Sequence, residues 1–138
     1  MSGNQELSDW VRKEMTVERG DALVKAKERV AKLLGVTAAG EVEFRIAPES
    51  QAHLRAPDKI LLYSLGKLYA QIAGYAQDET VANAELSTNL GLPRGTVDRT
   101  LKDLREAHLL NPVREGAHAL PLNRVLEVLT DIETKLGT

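Results

Sequence analysis

Apolar positions along the chain follow two periods. Leu7, Trp10, Val11 and Met15 recur at spacings of three and four, which predicts a short amphipathic helix over residues 7–17, broken by Gly20. Asp21 then reads as a helix N-cap ahead of ALVKAKERVAKLL. In that run Leu23, Ala26, Val30, Leu33 and Leu34 form one stripe, and Gly35 stands where a helix stops. The period next changes to two. Val42, Phe44 and Ile46 alternate with Glu41, Glu43 and Arg45, predicting a half-buried strand that Pro48 ends. The stretch ESQAHLRA reads as a connecting loop.

Pro57 and Asp58 open the most apolar segment, KILLYSLGKLYAQIAGYA. Ile60, Leu61, Leu62, Leu65, Leu68, Tyr69 and Ile72 cover more than half of a helix circumference, which predicts a central helix. Gly66, Ala70 and Gly74 lie four apart along one side. Small residues so spaced let a second helix approach closely, from within the chain or from another subunit. YAQDETVANA reads as a polar connection.

Residues 84–110, AELSTNLGLPRGTVDRTLKDLREAHLL, read as two helices about a tight turn. Leu86 and Leu90 face inward, Gly91 supplies the turn conformation, and Leu92 fills the angle between the helices. Pro93 suits a helix start, where no backbone donor is needed. Val97, Leu101 and Leu104 then face the core, with Thr100 at its edge and Leu109 leading out. Arg94, Thr96, Asp98, Arg99, Lys102 and Arg105 remain on the outer face. NPVREGAHALPL predicts two short strands about a Glu115-Gly116 turn. NRVLEVLTDIETKL predicts a last helix, with Asn123 as its cap and Val125, Leu126, Leu129, Ile132 and Leu136 inward. The expected order is helix, helix, strand, helix, helix, helix, hairpin, helix.

From residue 58 onward the chain resembles the winged helix-turn-helix superfamily, of the kind seen in MarR-like and ArsR-like regulators. AELSTNLGL matches the first helix and turn, PRGTVDRTLKDLREAHLL the recognition helix, and NPVREGAHALPL the wing. The resemblance implies a mainly α fold with a small β-hairpin wing. To this are added an N-terminal helical extension over 1–57, with one extra strand near 41–46, and the winged domain over 58–138. It also implies a cytoplasmic DNA-binding protein, a transcriptional regulator whose helix at about 94–107 enters the major groove. Arg99, Thr96 and Asp98 would read base edges, with Arg94 beside them. Lys102, Arg105, Arg114 and His118 would contact the DNA from the helix and the wing. Two departures from the family pattern stand out. His108 replaces the Gly often found before the closing Leu pair, and Glu115 sits at a wing tip that DNA binders often make basic. The alternative reading is a winged helix used for protein–protein contact in a larger complex.

Charge bears on that choice. The 138-residue chain has a net charge of −2. Only residues 92–114 are net basic, with Arg94, Arg99, Lys102, Arg105 and Arg114 against Asp98, Asp103 and Glu106. Five basic groups are a modest supply for holding phosphates, so a symmetric homodimer is expected. The N-terminal helices with Trp10, or the Gly66, Ala70 and Gly74 face, would join the two subunits. The chain lacks cysteine, a transmembrane-length apolar run and a signal-peptide pattern at MSGNQELSDW. An enzyme is not expected, nor a cofactor or metal. His53, His108 and His118 are scattered, the glycines stand singly, and Ser64 and Ser87 lie beside no base.

Overall fold

The computed structural model describes residues 3–15 and 21–137, which form seven α-helices and two small antiparallel sheets. Helix α1 (Gly3–Glu14) is amphipathic, yet none of its residues is buried. The expected helix end at Val17 and the break at Gly20 lie outside the described residues. Helix α2 (Asp21–Leu33) buries the stripe of Leu23, Ala26, Val30 and Leu33. Near its C-terminus the Ala31 carbonyl, which has no partner within the helix, accepts from the Arg45 guanidinium at 2.9 Å.

The helical stripe does not continue through Leu34. Strand β1 (Leu34–Val36) begins there and pairs antiparallel with β2 (Val42–Phe44), with Leu34 opposite Phe44 and Val36 opposite Val42. Gly35 is therefore a strand residue and not the helix stop its spacing suggested. A three-residue strand is too short to display a period, and Leu34 fits both patterns. A second difference follows at once. The segment expected as a loop contains a single helical turn, α3 (Pro48–Gln51), with Pro48 at its start.

Helix α4 (Ala56–Ile72) is the axis of the molecule. Its start is tied by Asp58, whose carboxylate accepts from the Arg55 backbone N–H at 2.9 Å and from the Lys135 ammonium at 2.6 Å. The first two of the three small residues, Gly66 and Ala70, are packed within the chain, while Gly74 borders open space. A Cβ on Gly66 would fall 2.6 Å from a Val42 methyl, and Ala70 is buried. Gly74, with φ +81°, ends the helix: its N–H bonds the Gln71 carbonyl, while the Tyr75 N–H bonds that of Ala70. Ile72, expected inward, is 63% exposed on the last turn.

The polar connection hides a strand. β3 (Val81–Ala82) leads directly into α5 (Asn83–Leu90), which Gly91 closes with φ +66°. Helix α6 (Arg94–Glu106) follows, then β4 (Asn111–Arg114) and β5 (Ala117–Ala119). The sheet order is β3-β5-β4, so β5 is the middle strand. A 3-10 turn at Leu122–Arg124 precedes α7 (Val125–Leu136). Asn123 lies inside that turn and does not cap α7, and Val128 takes the inward place expected for the exposed Leu126. One hydrophobic cluster joins Leu23 and Val30 of α2, Val42 of β2, Ile60 and Leu65 of α4, Leu86, Val97 and Leu101 of α5 and α6, and Leu129 and Ile132 of α7. Residues on both sides of position 57 thus share a core. The Arg29 guanidinium adds a link from α2 to the Glu133 carboxylate and the Thr130 hydroxyl of α7.

Candidate nucleic-acid interface

Helix α6 divides cleanly into two faces. Val97, Thr100, Leu101 and Leu104 are buried, and Arg94, Asp98, Arg99, Lys102, Asp103, Arg105 and Glu106 are exposed, with Thr96 between. Thr100 is more enclosed than its expected edge position. The inward Val and Leu residues at helical spacing seat α6 on α4 and α5, and that burial projects the polar residues away from the core.

Its charged residues differ in how free they are. Asp98 is held: its carboxylate accepts from the Asn83 side-chain amide at 2.6 Å and lies 3.7 Å from the Arg94 guanidinium. Arg105 leans on the sheet, its guanidinium 3.3 Å from Nε2 of His118. Arg99 and Lys102 are exposed, and neither has a hydrogen-bond or ion-pair partner among the described residues. Asn83 carries no local signal in the sequence, where it sits in a polar connection. Only the turn at Gly91 brings the start of α5 beside the start of α6.

The hairpin residues divide in the same way. Arg114 is exposed but turned back, 3.0 Å from the Asp78 carboxylate and 3.5 Å from the Thr80 hydroxyl. Asp78 is itself well organised. The Thr80 hydroxyl donates to it at 2.6 Å and the Thr80 N–H at 3.0 Å, and these bonds, with Arg114, hold its carboxyl below the usual carboxylate range.

His118 is not the surface wing residue that the sequence suggested. It is 5% exposed, on the middle strand between β3 and β4 and with Arg105 of α6 beside its ring. Burial, and then the charge of Arg105, push the ring below the ordinary histidine range. Of the residues expected to meet DNA, Arg94, Asp98, Arg99, Lys102 and the restrained Arg105 on α6 and Arg114 on the hairpin are therefore outward, Thr96 is half-buried and His118 is not outward.

A partly buried polar network runs along α5, from Glu85 in its first turn to Asn89 near its end. The Glu85 carboxylate accepts from the Tyr63 hydroxyl at 2.8 Å and the Lys67 ammonium at 2.9 Å. Asn89 donates to the same hydroxyl at 2.9 Å, and Lys67 also reaches the Gly40 carbonyl at 3.2 Å. Burial and Glu85 raise the Tyr63 hydroxyl well above its ordinary value. These bonds clamp α5 to α4, so the helix pair rests on a rigid base.

Among the described residues no cluster of His, Cys, Asp and Glu could hold a metal ion, and no helix is long and apolar enough to cross a membrane. Neither a protein-family model, nor a curated protein, nor a solved structure matches the chain.

Proposed function

We propose that residues 58–138 form a winged helix-turn-helix domain that binds double-stranded DNA, with α6 in the major groove, and that the protein is a transcriptional regulator. The observation that carries this reading is the pair Arg99 and Lys102. They are exposed cations without partners among the described residues, on a helix whose opposite face is buried. A long cationic side chain left unpaired on a rigid helix is available to a phosphate or to a guanine edge. The open N-terminus of α6 adds backbone donors for a phosphate, and Thr96 stands near it. The left-handed Gly91 and the hairpin directly after α6 supply the expected geometry of the motif.

A protein partner is the second reading. It is favoured by the three carboxylates interleaved on the same face, Asp98, Asp103 and Glu106. The two readings differ in their response to salt and to charge removal. Binding to a random-sequence duplex, followed by fluorescence anisotropy, should weaken linearly in log–log form as salt rises. Arg99→Ala with Lys102→Ala should weaken it further and make the slope shallower by about one per lost phosphate contact. Absence of binding at low salt, or binding indifferent to the double substitution, excludes the DNA reading.

A further inference from the structure

Among the described residues, Arg105 is the one cation on α6 whose only side-chain partner is an imidazole. Its guanidinium lies 3.3 Å from Nε2 of His118 and makes no other hydrogen bond or ion pair there. Arg94 stands beside Asp98 instead, and Arg99 and Lys102 have no partner among the described residues. The imidazole is enclosed. His118 is 5% exposed on the middle strand β5, and its Nδ1 has no hydrogen-bond partner among the described residues. A ring that gives its one lone pair to a guanidinium cannot take a second proton and keep that contact.

We propose that His118 is a positioning residue for Arg105: the neutral ring holds the guanidinium on the sheet, and a second proton releases it to a DNA phosphate, so that acid tightens DNA binding. The inference rests on the reading of α6 as the DNA-contacting helix. The new proton goes onto Nε2, the atom that faced the guanidinium, so the hydrogen bond is lost and two cations face each other. No neighbour offsets that charge. Val81 of β3 and Pro112 of β4 stand opposite His118 in register and are uncharged. Arg114 of β4 is turned to Asp78, ahead of β3. Lys102, Asp103 and Glu106 lie near Arg105 along α6, but no carboxylate pairs with the ring among the described residues. Burial and Arg105 hold the ring below the ordinary histidine range, which puts the change on the acid side of neutrality. Arg105 is exposed, so it can swing outward without disturbing the core. Arg99, Lys102 and Arg105 stand three apart and share one side of α6, so the released guanidinium adds a third available cation there.

Two measurements on the full chain test this. Without DNA, an NMR titration from about pH 8 to about pH 5 should show the His118 ring and the Arg105 Nε–H changing with one midpoint. In His118→Gln, whose amide oxygen can still accept from Arg105, the Arg105 resonance should stay constant. With a random-sequence duplex, anisotropy should give a log–log salt dependence steeper by about one at about pH 5 than at about pH 8, for one added phosphate contact. His118→Gln and Arg105→Ala should each remove that difference. Both variants keep His53 and His108, so any effect of those rings stays in the comparison. Three results overturn the inference and leave the DNA reading standing: a His118 ring that stays neutral to about pH 5, an Arg105 resonance indifferent to it, or equal salt slopes at the two pH values. Absence of duplex binding at every pH overturns both.

Discussion

The guanidinium of Arg105 on α6 lies 3.3 Å from Nε2 of His118 on the middle strand β5. A guanidinium only donates, so Nε2 must accept, which puts the imidazole proton on Nδ1. That Nδ1 is buried and has no hydrogen-bond partner among the described residues. The neutral ring therefore joins the exposed helix to the hairpin, and a second proton would place two cations side by side.

Stability should accordingly depend on pH. The folded-state His118 value lies below the unfolded one, near 6.5, because of burial and Arg105. Between the two values the unfolded chain binds the extra proton and the native chain does not. The contribution is thus complete above about pH 6.5 and is lost as pH falls toward the folded value. Urea titrations at stepped pH should show the midpoint dropping below pH 6.5. In His118→Gln that decline should be smaller, and an equally steep decline would remove His118 as its source.

Gly66 and Val42 form a contact that admits no side chain, since a Cβ would sit 2.6 Å from a valine methyl. Gly66→Ala should destabilise by about 1–3 kcal/mol despite its better helix propensity, because β2 must move off α4. Combining it with Val42→Ala should recover part of that loss, giving a favourable coupling in a double-mutant cycle. Strictly additive losses in urea unfolding would mean that the two sites do not meet.

Asp58 is 4% exposed and holds both the first turn of α4 and Lys135 of α7. Asp58→Ala should cost about 2 kcal/mol, from a lost backbone bond at the helix start and a lost charged contact. Replacing Lys135 by Gln should cost less, under about 1 kcal/mol, since its ammonium is partly solvated and Asp58 keeps the Arg55 N–H. Chemical denaturation of both variants checks the order. Equal losses would place the stabilisation in the ion pair and not in the helix start.

His108 is the one non-glycine with positive φ among the described residues, at +60°. It follows α6 as the left-handed residue of a C-terminal cap. Its N–H bonds the Arg105 carbonyl and the Leu109 N–H bonds that of Leu104. The position departs from the glycine of similar motifs while keeping the backbone that glycine favours. His108→Gly should raise stability by about 1 kcal/mol, seen as a higher thermal midpoint, because the Cβ strain disappears. A lower midpoint would show that the imidazole makes up for its strain.

The long periodic segments were legible in the sequence. Leu23, Ala26, Val30 and Leu33 mark α2, and Val97, Leu101 and Leu104 mark the inward face of α6, because helical spacing puts each set on one side. The same rule separated Arg99 and Lys102 from the core. It could not separate them from Asp98 and Arg114 in availability, since the partners Asn83 and Asp78 come from elsewhere in the chain.

The sequence alone determined the glycine turn at Gly91 between α5 and α6, the inward stripes of α2 and α6, and which side of α6 faces out, for these depend on neighbours within a few positions. Tertiary structure decided what depends on pairing. Leu34 becomes a strand residue because Phe44 stands opposite it. Two-residue β3 exists only because β5 is there to bond it, and His118 is buried where the sheet meets Arg105 of α6. Ile72 stays exposed because α4 outruns the core it crosses. Backbone pairing and burial arise where distant segments meet, and local periodicity contains no record of that meeting.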